Sequence, residues 1–156
     1  MRATNFSRMA FLMVMVLACG LALQAQPGVC GQQPYRGVWC TTCSGFVDLH
    51  LINPSVPENT MVPFSMLQRT EIGADGKGSG KGQASVGGVV MLFTSRSTFT
   101  ANSDCSGEKT YELNVPGLGI MPGTGWILYV PAGQEFKVIL LNPGHAITCT
   151  YKRIHP

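Results

Sequence analysis

Charged residues are scarce in this chain and nearly balanced in sign. They make up 12% of its 156 residues, and 11 Lys and Arg oppose 8 Asp and Glu for a formal net charge of +3. Nucleic-acid-binding domains and proteins attracted to anionic membranes both carry concentrated positive charge. The composition therefore indicates neither kind of partner.

Common catalytic and metal-binding motifs are also missing. The sequence has no Gly-x-Ser-x-Gly elbow and no His-Glu-x-x-His helix. The Gly-rich stretch 78–88 lacks the Gly-Lys-Ser/Thr ending of a phosphate-binding loop. His50 and His145 flank predicted strand ends, where a solvated or hydrogen-bonded histidine is the usual outcome. We assign no catalytic residue, no metal site and no cofactor, and we favour a non-enzymatic role.

Acidic residues are absent from the N-terminal segment, where Arg2 and Arg8 precede the apolar run from Met9 to Leu23. A basic start followed by a short apolar run is typical of a secretory signal. We predict cleavage after Ala25 and a secreted or periplasmic protein. The alternative is a lipobox around Cys19, whose lipid would anchor the protein at the cell envelope.

No apolar run of the mature chain has a helical period, whereas alternation with period two recurs. In the last third, Trp126 and Leu128 alternate with Ile127 and Tyr129. Turn signals separate the runs at Asp75-Gly76, Pro131-Ala132-Gly133 and Asn142-Pro143-Gly144. About eight such runs predict an all-β fold, a single antiparallel up-and-down meander that closes into a small barrel.

Short motifs along the mature chain resemble a family of uncharacterised secreted bacterial proteins. They are Pro63-Phe64-Ser65, Asp75-Gly76-Lys77-Gly78, the segment from Ser97-Thr98-Phe99-Thr100 to Asp104-Cys105-Ser106-Gly107, and Asn142-Pro143-Gly144 through Lys152-Arg153. The resemblance implies a lipocalin-like or allene-oxide-cyclase-like barrel, without an activity to carry over. The predicted organisation is a signal peptide over 1–25, an irregular leader over 26–34 and a β-barrel domain over 35–156.

The mature chain has an odd number of cysteines, for which an exported protein makes disulfides the default: Cys30, Cys40, Cys43, Cys105 and Cys149. Cys40 and Cys43 lie three apart in a predicted strand, so their side chains point to opposite faces and should not bridge each other. The closing strand of a barrel pairs with the first, which makes Cys149 a partner for Cys40 or Cys43, and Cys30 or Cys105 a partner for the other. The remaining thiol stays free or links two chains into a homodimer.

An eight-stranded barrel can enclose one small ligand, and several bulky apolar side chains are predicted to line such a pocket. These are Phe64, Met66, Phe93, Trp126, Tyr129 and Phe136. We expect an exported barrel that binds a small apolar ligand or partner. Two alternatives stay open, a barrel enzyme of the cyclase or isomerase type and a disulfide-crosslinked structural or envelope-surface protein.

Overall fold

The computed structural model of the protein describes residues 35–130 and 134–155, which form one closed barrel of eight antiparallel strands in chain order. The strands are β1 (Gly37–Asp48), β2 (Met61–Ile72), β3 (Lys77–Val86), β4 (Val89–Ala101), β5 (Ser106–Val115), β6 (Gly119–Tyr129), β7 (Glu135–Leu140) and β8 (His145–His155). A single 3-10 turn, Leu49–Leu51, is the helical structure in this part of the chain. The all-β closed meander predicted from period-two alternation is confirmed. The predicted signal peptide, leader and turn at 131–133 lie outside the described residues.

Alternation decides which side chains enter the barrel. In β6, Ile127 and Tyr129 are buried while Trp126 and Leu128 are exposed. In β8, Ile147, Cys149 and Tyr151 are buried in the same way. Each strand thus gives one face to the interior and one to the outer wall, as the sequence predicts.

The predicted hairpin at Asp75-Gly76 connects β2 to β3. Gly76 has a φ of 73°, in the left-handed region, and a Cβ there would lie 2.7 Å from the carbonyl oxygen of Phe99. The Asp75 carboxylate accepts a hydrogen bond of 3.1 Å from the backbone N–H of Lys77. The aspartate therefore shapes the turn from within, which agrees with the predicted hairpin.

Aromatic side chains fill one end of the barrel, which we call the closed end. They are Tyr35, Trp39, Phe99, Tyr129, Phe136 and Tyr151, all buried. The Phe136 ring stacks on Tyr151 with centroids 4.2 Å apart and meets Trp39 edge-on at 4.8 Å. Trp39 Nε1 donates a 2.7 Å hydrogen bond to the carbonyl of Tyr35, which fixes Tyr35, two residues before β1, over this end. Such a cluster contributes both apolar burial and favourable ring geometry.

A layer of polar side chains lies next along the strands. Lys109, with 7% of its surface exposed, donates a 2.6 Å hydrogen bond from Nζ to the Tyr151 hydroxyl and sits 4.8 Å from the centre of the Tyr111 ring. Between β2 and β4, Gln68 Nε2 donates to the hydroxyl of Ser95. Buried polar groups are tolerated when they are hydrogen-bonded to one another, and these pairs meet that condition.

A disulfide between Cys43 and Cys149 joins the first strand to the last. The two residues are direct register partners in the β1–β8 pairing, and both side chains are buried. The predictions that Cys149 bonds to a cysteine of β1 and that Cys40 and Cys43 do not bridge each other are confirmed.

The predicted partner for Cys40 is wrong. Cys40 has a free thiol, because alternation along β1 turns its side chain to the outer wall while Cys43 faces the interior. Cys105 is itself disulfide-bonded. Cys30 lies outside the described residues.

Candidate ligand-binding cavity

The end of the barrel opposite the aromatic cluster, here called the open end, holds a cavity of about 510 Å³. Its lining side chains come from all eight strands and from the loops above them: Val47, Leu51, Ile52, Phe64, Ala84, Val86, Met91, Phe93, Tyr111, Leu113, Val115, Ile120, Met121, Pro122, Leu140, Asn142, Pro143, His145 and Ile147. Its volume lies within the usual range for small-molecule pockets.

The cavity exists because side-chain size changes along the barrel. Towards the closed end, β1, β7 and β8 contribute Trp39, Phe136 and Tyr151, whose rings fill the interior. Towards the open end, the same three strands end in aliphatic residues such as Val47 and Ile147. Aliphatic side chains reach less far across an eight-stranded barrel than aromatic ones, so space remains between the walls.

The loop between β1 and β2 is held over one side of the open end by Asp48. Its carboxylate accepts hydrogen bonds from the backbone N–H groups of His50, at 3.1 Å, and Asn59, at 2.8 Å. Burial alone would raise the pKa of Asp48, but these amides and that of Thr60 outweigh it and lower the pKa. The ionised carboxylate thereby fixes the turn that carries Leu51 to the cavity lining.

Three of the lining side chains are polar, namely Asn142, Tyr111 and His145. Asn142 Oδ1 accepts from the backbone N–H of Thr124 at 2.8 Å, and its Nδ2 donates to the carbonyl of Pro122 at 3.2 Å. Burial, with a smaller contribution from neighbouring Tyr151, raises the pKa of Tyr111 to about 12, so its phenol is uncharged at neutral pH. These two residues contribute polarity without charge.

The third polar lining residue, His145, has an unused hydrogen-bonding atom. Its Nδ1 is buried and has no hydrogen-bond partner among the residues that the structure describes. Burial also lowers the pKa of His145, which keeps the ring neutral near pH 7. A buried polar atom without a partner costs about 1–3 kcal/mol. Because this nitrogen is shielded from solvent, it does not itself face the open space of the cavity.

The described lining contains no Lys, Arg, Asp or Glu. An ion that entered it would lose its hydration without gaining an opposite charge, which is strongly unfavourable. A neutral molecule has no such penalty. The cavity is therefore chemically suited to an uncharged, largely apolar guest.

The predicted ligand-lining residues are distributed over four places. Phe64 and Phe93 line the cavity. Met66 is half-buried against the core beside it, whereas Tyr129 and Phe136 belong to the packed closed end. Trp126 lies on the outer wall with 42% of its surface exposed.

Residues that sequence reasoning missed complete the cavity. The most consequential is His145, which we expected to be solvated or hydrogen-bonded and whose Nδ1 is instead buried without a hydrogen-bond partner in the described part of the chain. Its position in β8, two residues before inward-facing Ile147, is the sequence signal that places it on the interior face. His50 fits the expectation, because its Nδ1 lies 2.7 Å from the carbonyl oxygen of Val56.

A wider depression of about 860 Å³ lies across the outer wall of β3 to β6. Most of the side chains around it, such as Arg96, Thr110 and Glu112, are exposed to solvent. It encloses a guest less completely than the barrel interior does. We therefore place the candidate site in the cavity at the open end.

Residues 35–130 and 134–155 contain neither a metal-binding cluster nor a helix that could span a membrane. No group of three or more His, Cys, Asp or Glu side chains is arranged to hold a metal ion there. Within the same residues, no helix has the length and apolar character to cross a membrane.

Comparison with known proteins gives a similar barrel architecture and no family assignment. No protein-family model matches the chain, and no curated protein matches it either. A solved structure with a similar barrel is that of a redesigned β-barrel, mFAP1, bound to DFHBI, with a TM-score of 0.49 and 16% sequence identity. The match covers 78% of this chain and 97% of that one. The likeness concerns barrel architecture alone, and the protein is a small eight-stranded antiparallel β-barrel.

Proposed function

We propose that this protein binds a small, neutral, largely apolar molecule in the cavity at the open end of its barrel. The observation that carries the proposal is the combination of a cavity of about 510 Å³ with a lining that has no charged side chain. Burying apolar ligand surface in such a site contributes about 25 cal/mol per Å² before the costs of association.

The imidazole of His145, which lines the cavity, supplies orientation. A hydroxyl, amide or carbonyl group on the guest would hydrogen-bond to the imidazole directly or through a water. Apolar walls with one or a few polar anchors are the usual arrangement of small-molecule sites. The proposed ligand therefore has an apolar body and at least one uncharged polar group directed towards β8.

The rest of the barrel acts as a preorganised scaffold in this proposal. The aromatic cluster fills the closed end, and the Cys43–Cys149 disulfide joins the strands that complete the barrel. Little conformational freedom is then lost at the cavity walls when a ligand enters. Affinity consequently depends on shape and apolar contact more than on loop ordering.

The test is a fluorescence titration with N-phenyl-1-naphthylamine, a neutral probe that brightens in apolar surroundings. Ala84→Trp should weaken binding by at least about tenfold, because the indole would occupy the cavity that Ala84 lines. Gln83→Trp is the matched control, since the neighbouring side chain is exposed on the outer wall. Equal probe binding by both variants, each shown to be folded by circular dichroism, would place the site elsewhere.

We also propose that the protein is exported and shares the secreted family's barrel. Residues 1–25 act as the signal, 26–34 as the leader and 35–156 as the domain, so the mature N-terminus is Gln26. The intramolecular disulfide is compatible with an oxidising compartment. Mass analysis of the exported protein distinguishes this terminus from a diacylated Cys19, which would make the protein an envelope lipoprotein.

A crosslinked structural role is the alternative with an observation behind it. Cys40 keeps a free thiol, half-buried on the outer wall between Arg69 of β2 and Lys152 of β8. A homodimer linked through this thiol would run at twice the monomer mass on non-reducing gels and would disappear in Cys40→Ser. An enzyme of the cyclase or isomerase type is the weaker alternative. In the described lining, the ionisable side chains available for proton transfer are His145 and Tyr111.

A further inference from the structure

Exposed aliphatic side chains surround the cavity entrance. All four loop regions at the open end contribute to this set, which we call the apolar collar: Leu51, Val89, Val90, Leu118, Ile120 and Leu141. Their exposed fractions run from 43% to 66%. Similarly exposed apolar side chains, such as Leu67, Leu92 and Ile139, lie elsewhere on the outer wall, so exposure alone does not distinguish the collar. Its position around the entrance of an apolar cavity does, because apolar side chains that border one opening are typical of an interaction surface.

Charged side chains are scarce at the open end. The open end consists of the loops 49–60, 87–88, 116–118 and 141–144, together with the three strand residues that adjoin each loop end. Every Lys and Arg that the structure describes lies outside this region. Its acidic residues are Asp48, which is buried, and Glu58. The open end therefore lacks the cations that would attract an anionic surface, and its exposed polar side chains, such as Asn53, Ser55 and Asn59, are uncharged apart from Glu58.

The collar is continuous with the cavity. Leu51 and Ile120 belong to both, since each lines the cavity and is also largely exposed. A neutral apolar ligand that leaves the cavity would therefore pass over apolar side chains. Transfer into water would be unfavourable for such a ligand, whereas transfer into hydrocarbon would not.

We propose that the open end of the barrel docks onto an uncharged lipid bilayer, with the collar side chains inserted among the lipid headgroups. The choice of a bilayer rests on the proposed function, because a membrane both stores neutral apolar molecules and receives an apolar rim. A second copy of the chain docked on the same collar would seal both cavity entrances. The bilayer leaves the ligand a path between lipid and cavity.

Vesicle co-sedimentation tests the docking. The mature protein beginning at Gln26 is purified after export of a Cys19→Ser precursor, so that neither a lipid anchor nor the apolar signal run is present, and is mixed with sucrose-loaded vesicles of phosphatidylcholine alone. The double variant Val90→Glu/Leu118→Glu changes two collar residues that do not line the cavity. Leu67→Glu/Leu128→Glu is the matched control, because both leucines are exposed on the outer wall away from the open end.

We expect the parent and the control to sediment with the vesicles, with little dependence on salt. The collar variant should partition at least about tenfold less, since each lost apolar insertion is worth roughly that factor. Equal partition of the collar variant, or binding that requires anionic lipid and low salt, would overturn the proposal. A collar-dependent dimer in solution without vesicle binding would also overturn it and assign the surface to a second copy.

The same proteins separate this proposal from the proposed function. Titration with N-phenyl-1-naphthylamine in the absence of vesicles should give the same affinity for the parent, the collar variant and the control. Loss of probe binding in Ala84→Trp with vesicle binding intact supports both proposals. Vesicle binding by a parent that never binds the probe refutes the cavity proposal and leaves the docking surface standing.

Discussion

The Cys43–Cys149 disulfide should be the largest single covalent contribution to stability in the described barrel. It joins residues separated by 106 positions. In the chain-entropy account, closing a loop of about 100 residues restricts the unfolded chain by about 4.7 kcal/mol, and measured losses for native bridges are about 2–5 kcal/mol. We therefore expect Cys43→Ala/Cys149→Ala to lower the free energy of unfolding by about 3–5 kcal/mol.

Urea unfolding followed by tryptophan fluorescence measures this loss, because Trp39 is buried in the closed end and is exposed on unfolding. The matched control is Cys40→Ala, which removes a free, half-buried thiol from the same strand and should cost less than about 1 kcal/mol. A double variant within about 1 kcal/mol of the parent would refute the reasoning. So would a Cys40→Ala loss as large as that of the double variant, because it would give the thiol on the outer wall the structural role assigned here to the bridge.

Three further predictions concern the interior and one turn. Burial lowers the pKa of His145 below its ordinary 6.5, so on acidification through that pH the unfolded chain binds a proton at this residue more readily than the folded chain does. The free energy of unfolding and the probe affinity should therefore both fall as the pH is lowered. His145→Gln should flatten the pH profile of affinity. Tyr151→Phe removes the hydrogen-bond acceptor of buried Lys109 Nζ and should lower the free energy of unfolding by about 2 kcal/mol. The Lys109→Met/Tyr151→Phe double variant should reduce this loss, and additive losses in the double-mutant cycle would contradict the coupling. Gly76→Ala should cost about 1–2 kcal/mol of stability, measured by thermal unfolding, because the backbone has a left-handed φ and the new Cβ would contact a backbone oxygen. Gly88 also has a left-handed φ, but no atom lies near its Cβ position, so Gly88→Ala should cost less. A larger loss for Gly88→Ala than for Gly76→Ala would count against the argument.

Local features of the fold were predictable because they depend on neighbouring residues. Alternation in β6 and β8 assigns Ile127 and Cys149 to one face without any knowledge of the barrel. Asp75-Gly76 specifies a tight turn through the backbone freedom of glycine and the hydrogen-bonding of aspartate. The pairing of Cys149 with a cysteine of β1 follows once the meander is closed.

The position of the cavity along the barrel axis was harder to predict. Alternation shows that Tyr129 and Phe136 face inward, but it does not show at which height they meet residues from distant strands. The strand register places both at the closed end with Tyr35, where their rings leave no room for a ligand. Height in a barrel depends on the pairing of all eight strands at once, and a single sequence does not display it.

The expectation that Trp126 lines the cavity together with Tyr129 differs from these, because the sequence alone was sufficient to reject it. It lies an odd number of residues from Tyr129, so a regular strand cannot direct both side chains into the barrel. The structure puts Tyr129 inside and Trp126 on the outer wall. His145 was not expected to line the cavity, although the sequence indicated its interior position. The same parity rule would have put it on the interior face with Ile147.

The central claim, that the open-end cavity holds a neutral apolar ligand, is tested most directly by mapping a bound probe by NMR. During titration with N-phenyl-1-naphthylamine, the methyl groups of Ala84, Leu113 and Ile147 and the ring of His145 should show the largest shifts and intermolecular contacts, because all four line the cavity. Signals from the closed end, such as the Phe136 ring, should change little. Contacts centred instead on the Trp126 indole or elsewhere on the outer wall, with the cavity methyl groups unchanged, would contradict the account.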